Sequence, residues 1–248
     1  MNEMSSSVAY RENPEISVMV PVFNEEESLP LLIPKLVEVL NLLNTSYEVI
    51  LVDDGSSDGS WKILKEMVSR NPFFRILRFK ENRGSSAALV AGVREARGKK
   101  IVTLDSDLQN DAADIPKLLG YLDQYDMAAG WRQKREDPWL RRISSKIANG
   151  VRNRLSGENV NDSVCPLRVF RRECFKDIPK FNGMHRFLPT LMKMGGYRVI
   201  EVPVSHHPRR FGKSKYNIRN RMWRSFIDLL GVRWMKRRTI RYEIEERI

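Results

Sequence analysis

Apolar residues in the first hundred positions fall into short dense runs, separated by longer stretches in which they recur every three or four residues. Ile16-Ser-Val-Met-Val-Pro-Val-Phe23 and Tyr47-Glu-Val-Ile-Leu-Val52 have the length and near-continuous hydrophobicity of strands buried on both faces. Arg75-Ile-Leu-Arg-Phe79 is a weaker third run, and Lys100-Ile-Val-Thr-Leu104 a fourth. Between them lie helical patterns: one from Asn24 through Leu36 and Leu40, one through Trp61 and Leu64, and a small-residue stretch from Ser86 to Val93 that can pack closely on a sheet. Asn24 with Glu27 three residues on has the spacing of a capping box, Asp58 can cap the second helix, and Gly55 and Gly59 permit a tight turn. Such alternation predicts an α/β doubly wound sheet with parallel strands and a ligand at their carboxyl ends.

The second half departs from this rhythm. Asp126-Met-Ala-Ala-Gly-Trp-Arg132 reads as a strand ending in a cation, followed by basic residues Arg135, Arg141 and Arg142 and a helix from Ile143 to Leu155. Gly183 to Pro189 opens a helix, and Tyr197 to Val204 alternates as a late strand. A basic loop, Pro208 to Tyr216, follows with Gly212 as its hinge. From Asn217 to Arg238, Ile218, Met222, Phe226, Leu229 and Leu230 recur at helical spacing among Arg219, Arg221, Arg224, Arg233 and Lys236 to Arg238. With Trp223 and Trp234 added, this tail predicts an amphipathic helix lying at a membrane surface, the alternatives being a helix docked on the core or in a dimer interface.

Composition sharpens the picture. With 248 residues and 42% hydrophobic content the chain can bury a sizeable core, and a polar segment 1–13, expected to be disordered, precedes a single domain 14–216 and the tail 217–248. The net charge is +12, and thirteen Lys and Arg against four acids from Pro208 onward place most of the excess in the tail, which predicts an anionic partner. Cys165 and Cys174 lack a metal or disulfide spacing, the amino terminus lacks the apolar segment of a signal peptide, and no run of about eighteen apolar residues could span a membrane. A cytoplasmic protein, peripheral at the inner face of a membrane, is expected.

The chemistry concentrates in Asp105-Ser-Asp-Leu-Gln109. Along an extended strand Asp105 and Asp107 would leave on one side, with Ser106 turned away. Two adjacent carboxylates repel, and a hard divalent cation relieves the repulsion while keeping positions open for phosphate and water. The first strand-to-helix turn, Pro21 to Glu27, carries three acids and no glycine, so it cannot cradle phosphate directly as a Gly-rich loop does. No Gly-x-x-x-x-Gly-Lys-Ser/Thr loop is present, which excludes that ATPase class.

Taken together, Val20-Pro-Val-Phe-Asn-Glu-Glu26, Asp53-Asp-Gly-Ser-Ser-Asp-Gly59, Asn82-Arg-Gly84 and Asp105-Ser-Asp-Leu-Gln109 resemble the family 2 glycosyltransferases, and within them the polyprenyl-phosphate glycosyltransferases of the dolichol-phosphate mannose synthase group. The resemblance implies a GT-A, Rossmann-like mixed sheet. It implies a nucleotide site of Pro21, Phe23, Glu25 and Asp53, extended to Asp54, Arg83 and Ser106, and Mg2+ or Mn2+ held by Asp105, Asp107 and Gln109. It assigns donor and acceptor phosphates to Arg132, to Arg141 with Ser145, and to Asp162 and Arg168 of an acceptor-side loop. The form Arg209-Arg-Phe-Gly-Lys-Ser-Lys-Tyr216 is similar to that group's lipid-phosphate loop, making Arg209, Arg210, Ser214 and Lys215 phosphate ligands that close over the donor.

The activity so implied is inverting transfer of a sugar from a UDP-sugar or GDP-mannose to an undecaprenyl- or dolichol-type phosphate. A phosphate monoester has a second pKa near about 6, so such an acceptor needs little proton removal, in keeping with the lack of a Glu-Asp base motif. Two alternatives stay open. A soluble saccharide or protein acceptor would use Asp162 as base, and a nucleic-acid-binding module would use the basic tail, although the clustered acids oppose nucleic acid at the main face. A dimer or a separate membrane-anchoring partner is compatible with the tail.

Overall fold

A computed structural model describes residues 13–133, 161–162, 164–211, 218–240 and 246, with the side chains of 218–222 outside that description. Seven strands form one mixed sheet: β1 (Ile16–Val22), β2 (Tyr47–Asp53), β3 (Phe74–Arg78), β4 (Lys100–Thr103), β5 (Met127–Trp131), β6 (Arg168–Arg171) and β7 (Val199–Pro203). Their spatial order is β3-β2-β1-β4-β6-β5-β7. β1 to β4 are mutually parallel where they pair, β6 runs antiparallel between β4 and β5, and β7 is parallel to β5. Among the described residues the α-helices are α1 (Leu29–Leu42), α2 (Ser60–Arg70), α3 (Ser85–Glu95), α4 (Ile115–Gly120), α5 (Leu188–Met194) and α6 (Ile218–Arg238).

Near-continuous apolar strands demand cover on both faces, and the buried residues divide accordingly into two clusters. One joins Val18, Val20, Leu51 and Val102 to Leu32, Leu36 and Leu40 of α1 and Leu64 of α2. The other joins Met19, Ile50, Val52 and Ile101 to Ala88, Leu89 and Val93 of α3, to Leu188, Leu191 and Met192 of α5, and to Leu229 and Val232 of α6. Alternate residues of one strand thus feed opposite layers, as period-two side-chain geometry requires. Gly92 lets α3 come close: a Cβ there would stand 2.2 Å from Met19 Cγ and 3.3 Å from Val52 Cγ2.

Three local expectations are corrected. Asn24 and Glu27 do not form a capping box, because α1 begins at Leu29 after Ser28. Asn24 instead adopts φ +53°, and the amides of this loop are satisfied by its neighbour: Asn24 N donates to Ser56 Oγ (2.9 Å), Glu25 N to Ser60 Oγ (2.8 Å) and Glu26 N to Asp58 Oδ2 (3.2 Å). Gly55 does occupy the left-handed region at φ +73°, but Gly59 does not; it is small because Glu26 Oε2 accepts from its amide at 2.6 Å. Finally, β4 stops at Thr103, so Asp105 to Asp107 lie in a turn that Leu108 completes at φ +61°, and strand alternation does not set their directions.

The tail helix adopts one of the expected arrangements, docked on the core, and leaves a second face exposed. Leu229 and Val232 are buried in the core and Asp228 pairs with Arg186 at 3.5 Å, so α6 is docked on the body. Trp223, Phe226, Ile227, Leu230 and Trp234 form a second apolar stripe at helical spacing, exposed to solvent. No helix among the described residues is long and apolar enough to cross a membrane.

Candidate active site

Five parallel strand ends and the start of the reversed strand β6 meet at one edge of the sheet, and they deliver the chemistry-bearing residues to one cleft. Pro21 is the penultimate residue of β1, Asp53 closes β2, Asp105 to Asp107 follow β4, Arg132 follows β5, Arg168 opens β6, and Arg209 follows β7. Reversal of β6 is what brings Arg168 to this edge; it sits opposite Thr103 and Ala129 in the pairing register.

Asp105 is the electrostatic centre. Burial raises its carboxyl to about 7, the charge of Asp107 adds to the rise and Glu25 adds a little more, while Arg168 and Arg132 pull it back. Burial likewise raises Asp107, against the Gln109 amide that it accepts at 3.2 Å and against the charge of Arg209. The Ser106 hydroxyl turns away and donates to the Pro21 carbonyl at 2.9 Å, tying the acidic turn to β1. Gln109 is fixed through its backbone, its carbonyl accepting from His207 N at 2.8 Å.

Cations surround the pair. Arg168 is buried, donates from Nη1 to the His185 carbonyl at 2.8 Å, and has its own pKa lowered by burial. His185 is in turn held by Ser86, whose Oγ lies 2.7 Å from its Nδ1. Arg132 grips Asp162 in a fork, Nε to Oδ2 at 2.7 Å and Nη2 to Oδ1 at 3.0 Å. Arg209 donates from Nη2 to Glu25 Oε1 at 2.7 Å and from Nε to the Phe211 carbonyl at 2.9 Å. A cleft of about 200 Å3 beside this contact is lined by Asn24, Glu25, Glu26, Glu27, Asp58 and Phe211.

These contacts revise several assignments. Asp162 is a buried carboxylate committed to Arg132, with its own amide on Glu201 Oε1 at 2.8 Å, so it positions a cation and is ill-suited to meet an acceptor phosphate itself. Asp54 accepts from the amides of Arg83 (2.6 Å) and Gly84 (2.8 Å) and shapes the Asn82-Arg-Gly84 loop from within, which leaves little of it for a nucleotide. Arg83 points outward and pairs with Glu81, and Ser106 is spent on Pro21. Arg168 is reached from the β6 side and faces Asp105, where an acceptor-side loop was expected. Arg210 is exposed. Arg141, Ser145, Ser214 and Lys215 lie outside the described residues, as does the helix expected from Ile143 to Leu155.

Sequence reasoning missed Arg78, the last residue of β3, which stands in register with Asp53 and reaches it with Nε at 3.1 Å from Oδ2. Carrying the third strand to the same edge as the second would have found it. It also missed Ser86 and His185, for which no local pattern exists.

The donor set fits a hard cation. Asp105 and Asp107 offer carboxylate oxygens whose burial disfavours their charge, so a bound divalent ion would relieve both. Among the described residues no group of three or more His, Cys, Asp or Glu side chains forms a complete cage, so the remaining ligands would come from phosphate and water, as Mg2+ and Mn2+ accept.

Comparison with known proteins bears on the family and the fold. The sequence profile described as "Glycosyl transferase family 2" matches residues 17–179. The chain is 38% identical over 229 residues to the dodecaprenyl-phosphate galacturonate synthase of Rhizobium johnstonii, covering 90% of this chain and 68% of that protein. It is 38% identical over 206 residues to the undecaprenyl-phosphate 4-deoxy-4-formamido-L-arabinose transferase of Edwardsiella ictaluri, covering 82% and 63%. It therefore spans about two thirds of the length of such relatives. Among solved structures, a mannosyltransferase from Pyrobaculum calidifontis in complex with GDP-Man and Mn2+ superimposes with a TM-score of 0.62 at 21% identity, over 95% of this chain and 67% of that one. The glucosyl-3-phosphoglycerate synthase of Mycobacterium tuberculosis, in complex with Mn2+, UDP-glucose and phosphoglyceric acid, gives 0.66 at 16% identity over 90% and 79%. The shared fold is the GT-A-like mixed sheet.

Proposed function

Because the chain belongs to glycosyltransferase family 2, we propose that it transfers a sugar from a nucleotide-sugar to a polyprenyl phosphate, releasing the nucleoside diphosphate. The observation that carries the reading is the Asp105/Asp107 pair, two interacting carboxylates in a half-buried turn with the charges of Arg132 and Arg168 acting on them. Such an arrangement is unfavourable on its own and becomes favourable around a divalent cation carrying a diphosphate. Asp105, Asp107 and Gln109 would hold Mg2+ or Mn2+, which supplies Lewis-acid stabilisation to the departing diphosphate when bound. Pro21, Phe23, Glu25 and Asp53 would receive the base and ribose. Arg132, fixed by Asp162, and Arg168, fixed by the His185 carbonyl, present positive charge where negative charge develops.

The commitment of Asp162 to Arg132 favours a phosphate acceptor over a sugar hydroxyl. A hydroxyl nucleophile calls for a base near it, and both carboxylate oxygens of Asp162 are engaged by the Arg132 fork. A phosphate monoester is already largely a dianion at neutral pH, since its second pKa is near about 6. The names of the two relatives support the same acceptor class. The outward stripe on α6, with Trp223 66% and Trp234 63% exposed beside Arg224, Arg237 and Arg238, suits a helix resting on an anionic membrane surface at the level of the acceptor headgroup.

The test is to incubate the protein with polyprenyl phosphate, Mn2+ and a panel of radiolabelled nucleotide-sugars, then partition against organic solvent. Label should enter the organic phase with at least one donor and fail to do so with Asp105→Ala. Label that moves only into water-soluble glycans or protein would replace this reading with the soluble-acceptor one.

A further inference from the structure

The hydroxyl of Ser86, buried near the start of α3, meets three groups of one turn. It accepts from Gly183 N at 3.0 Å and from His185 N at 3.4 Å, and it lies 2.7 Å from His185 Nδ1. Amides only donate, so both hydroxyl lone pairs are taken and its one proton is left for the ring. Nδ1 therefore accepts, which puts the proton of the neutral imidazole on Nε2. Within the same turn the carbonyls of Gly183 and Met184 accept from Arg186 N (3.1 Å) and Phe187 N (2.8 Å). The carbonyl of His185 accepts from Arg168 Nη1 at 2.8 Å. From the far side, Arg186 donates to Ser225 and pairs with Asp228, both on α6. Arg168 is buried opposite Thr103 of β4, and its charge acts on Asp105 two residues further along.

We propose that Ser86 is a positioning residue for glycosyl transfer: through His185 it sets where Arg168 stands beside the acidic turn. This rests on the transfer reading given above and extends it to a hydroxyl on a different helix, α3. A buried guanidinium goes where its acceptors are, and the stabilisation it gives to developing negative charge depends on the distance at which it is held. The His185 carbonyl is one such acceptor, and Ser86 fixes that carbonyl by holding the amides on either side of Met184 together with the His185 ring. Alanine at position 86 would remove the acceptor of two amides in a buried site, and the turn would have to shift to satisfy them. Arg168 would shift with it.

The test follows release of nucleoside diphosphate from a nucleotide-sugar in Mn2+ with polyprenyl phosphate present, a readout that any acceptor, water included, produces. Ser86→Ala should lower kcat about tenfold with the donor KM within about twofold, the mark of an interaction made in the transition state. His185→Asn, whose side-chain oxygen can accept from Ser86 much as Nδ1 does, should stay within about threefold of the unaltered protein, whereas His185→Ala should match Ser86→Ala. Joining Ser86→Ala to Arg168→Lys should cost no more than Arg168→Lys alone, because both changes act on one group. Val232→Ala, which loosens α6 without touching the turn, controls for general destabilisation and should leave kcat of the folded fraction unchanged. Losses that multiply in the Ser86/Arg168 pair, equal kcat in Ser86→Ala and the unaltered protein, or His185→Asn falling as far as His185→Ala overturns the proposal. If Ser86→Ala melts before assay, the two His185 variants carry the comparison. Diphosphate release with this dependence but without lipid labelling overturns the polyprenyl-phosphate acceptor and leaves the positioning role standing; no release with any donor overturns both.

Discussion

The guanidinium of Arg209 lies 2.7 Å from the carboxylate of Glu25, joining the loop after β7 to the end of β1 across 184 residues of chain. The charge of the same guanidinium opposes the rise that burial imposes on Asp107, so it acts on both Glu25 and the acidic turn of the cleft. An arginine so placed can exchange a carboxylate for a phosphate when substrate arrives, because both offer paired oxygens to its fork. Arg209→Ala should lower kcat/KM by about ten- to a hundredfold, and Arg209→Lys should recover only part of the loss, since lysine replaces the charge but not the fork. Steady-state kinetics with donor and acceptor varied separately would measure it.

The raised carboxyl of Asp105 makes a signed pH prediction. Its pKa of about 7 in the folded chain lies above the ordinary aspartate value near about 3.9, so between those two the folded state holds the proton more often than the unfolded one. Stability contributed by this group is therefore present at low pH and is lost as pH rises through the window towards 7. In metal-free buffer Asp105→Asn should melt above the unaltered protein at pH 8, with the gap closing towards pH 5. Added Mn2+ should raise the melting temperature of the unaltered protein at pH 8 and leave the variant nearly unmoved. Scanning fluorimetry across pH with and without metal gives all four arms.

Asp162 separates a positioning role from a basic one. Its partner Arg132 has a side chain only 14% exposed, so removing the carboxylate strands a largely buried cation. Asp162→Ala should destabilise the fold by about 3–5 kcal/mol in urea denaturation, and activity should fall with it. The acid limb of the pH–rate profile should survive in Asp162→Asn; its loss would mark Asp162 as the base of a hydroxyl acceptor.

Gly55 is required twice over. It holds φ +73°, and a Cβ would come within 2.7 Å of the Glu81 backbone carbon in the loop that Asp54 organises. Gly55→Ala should cost about 1–3 kcal/mol, measured by the shift in denaturation midpoint, because the obstructing atoms belong to main chain and cannot rotate away.

How far the sequence could be read follows from how locally each feature is determined. β1, β2 and β4 were legible because an apolar run and a terminating turn both lie within a dozen residues. β6 was not: it has four residues, Arg168 to Arg171, of which only Val169 and Phe170 are apolar, and its strand character comes from lying between β4 and β5. Asp105 and Asp107 were found by type and spacing, though a turn and not the strand pleat brings them together. The capping box at Asn24 failed because Ser56, Asp58 and Ser60, more than thirty positions away, satisfy the amides that a box would have capped. Pairings such as Glu25 with Arg209 and Asp53 with Arg78 depend on strand order, which hydrophobic periodicity does not encode.

The two faces of α6 yield opposite outcomes for substitutions of similar size. Val232 is fully buried and Leu229 nearly so, whereas Trp223, Phe226, Ile227, Leu230 and Trp234 are 40–66% exposed and touch little that folding requires. Val232→Ala should lower the denaturation midpoint by the equivalent of about 1–3 kcal/mol while leaving vesicle binding intact in the folded fraction. The double change Trp223→Ser with Trp234→Ser should leave the midpoint within about 0.5 kcal/mol yet weaken association with anionic vesicles at least about tenfold, since on the proposed membrane reading those rings would supply the apolar area that enters the lipid. Because Arg224, Arg237 and Arg238 accompany the stripe, binding of the unaltered protein should also fall steeply with salt and be weak on neutral vesicles. Cosedimentation across salt and lipid charge measures both dependences, and equal binding of the double variant would assign the exposed stripe to something other than a lipid surface.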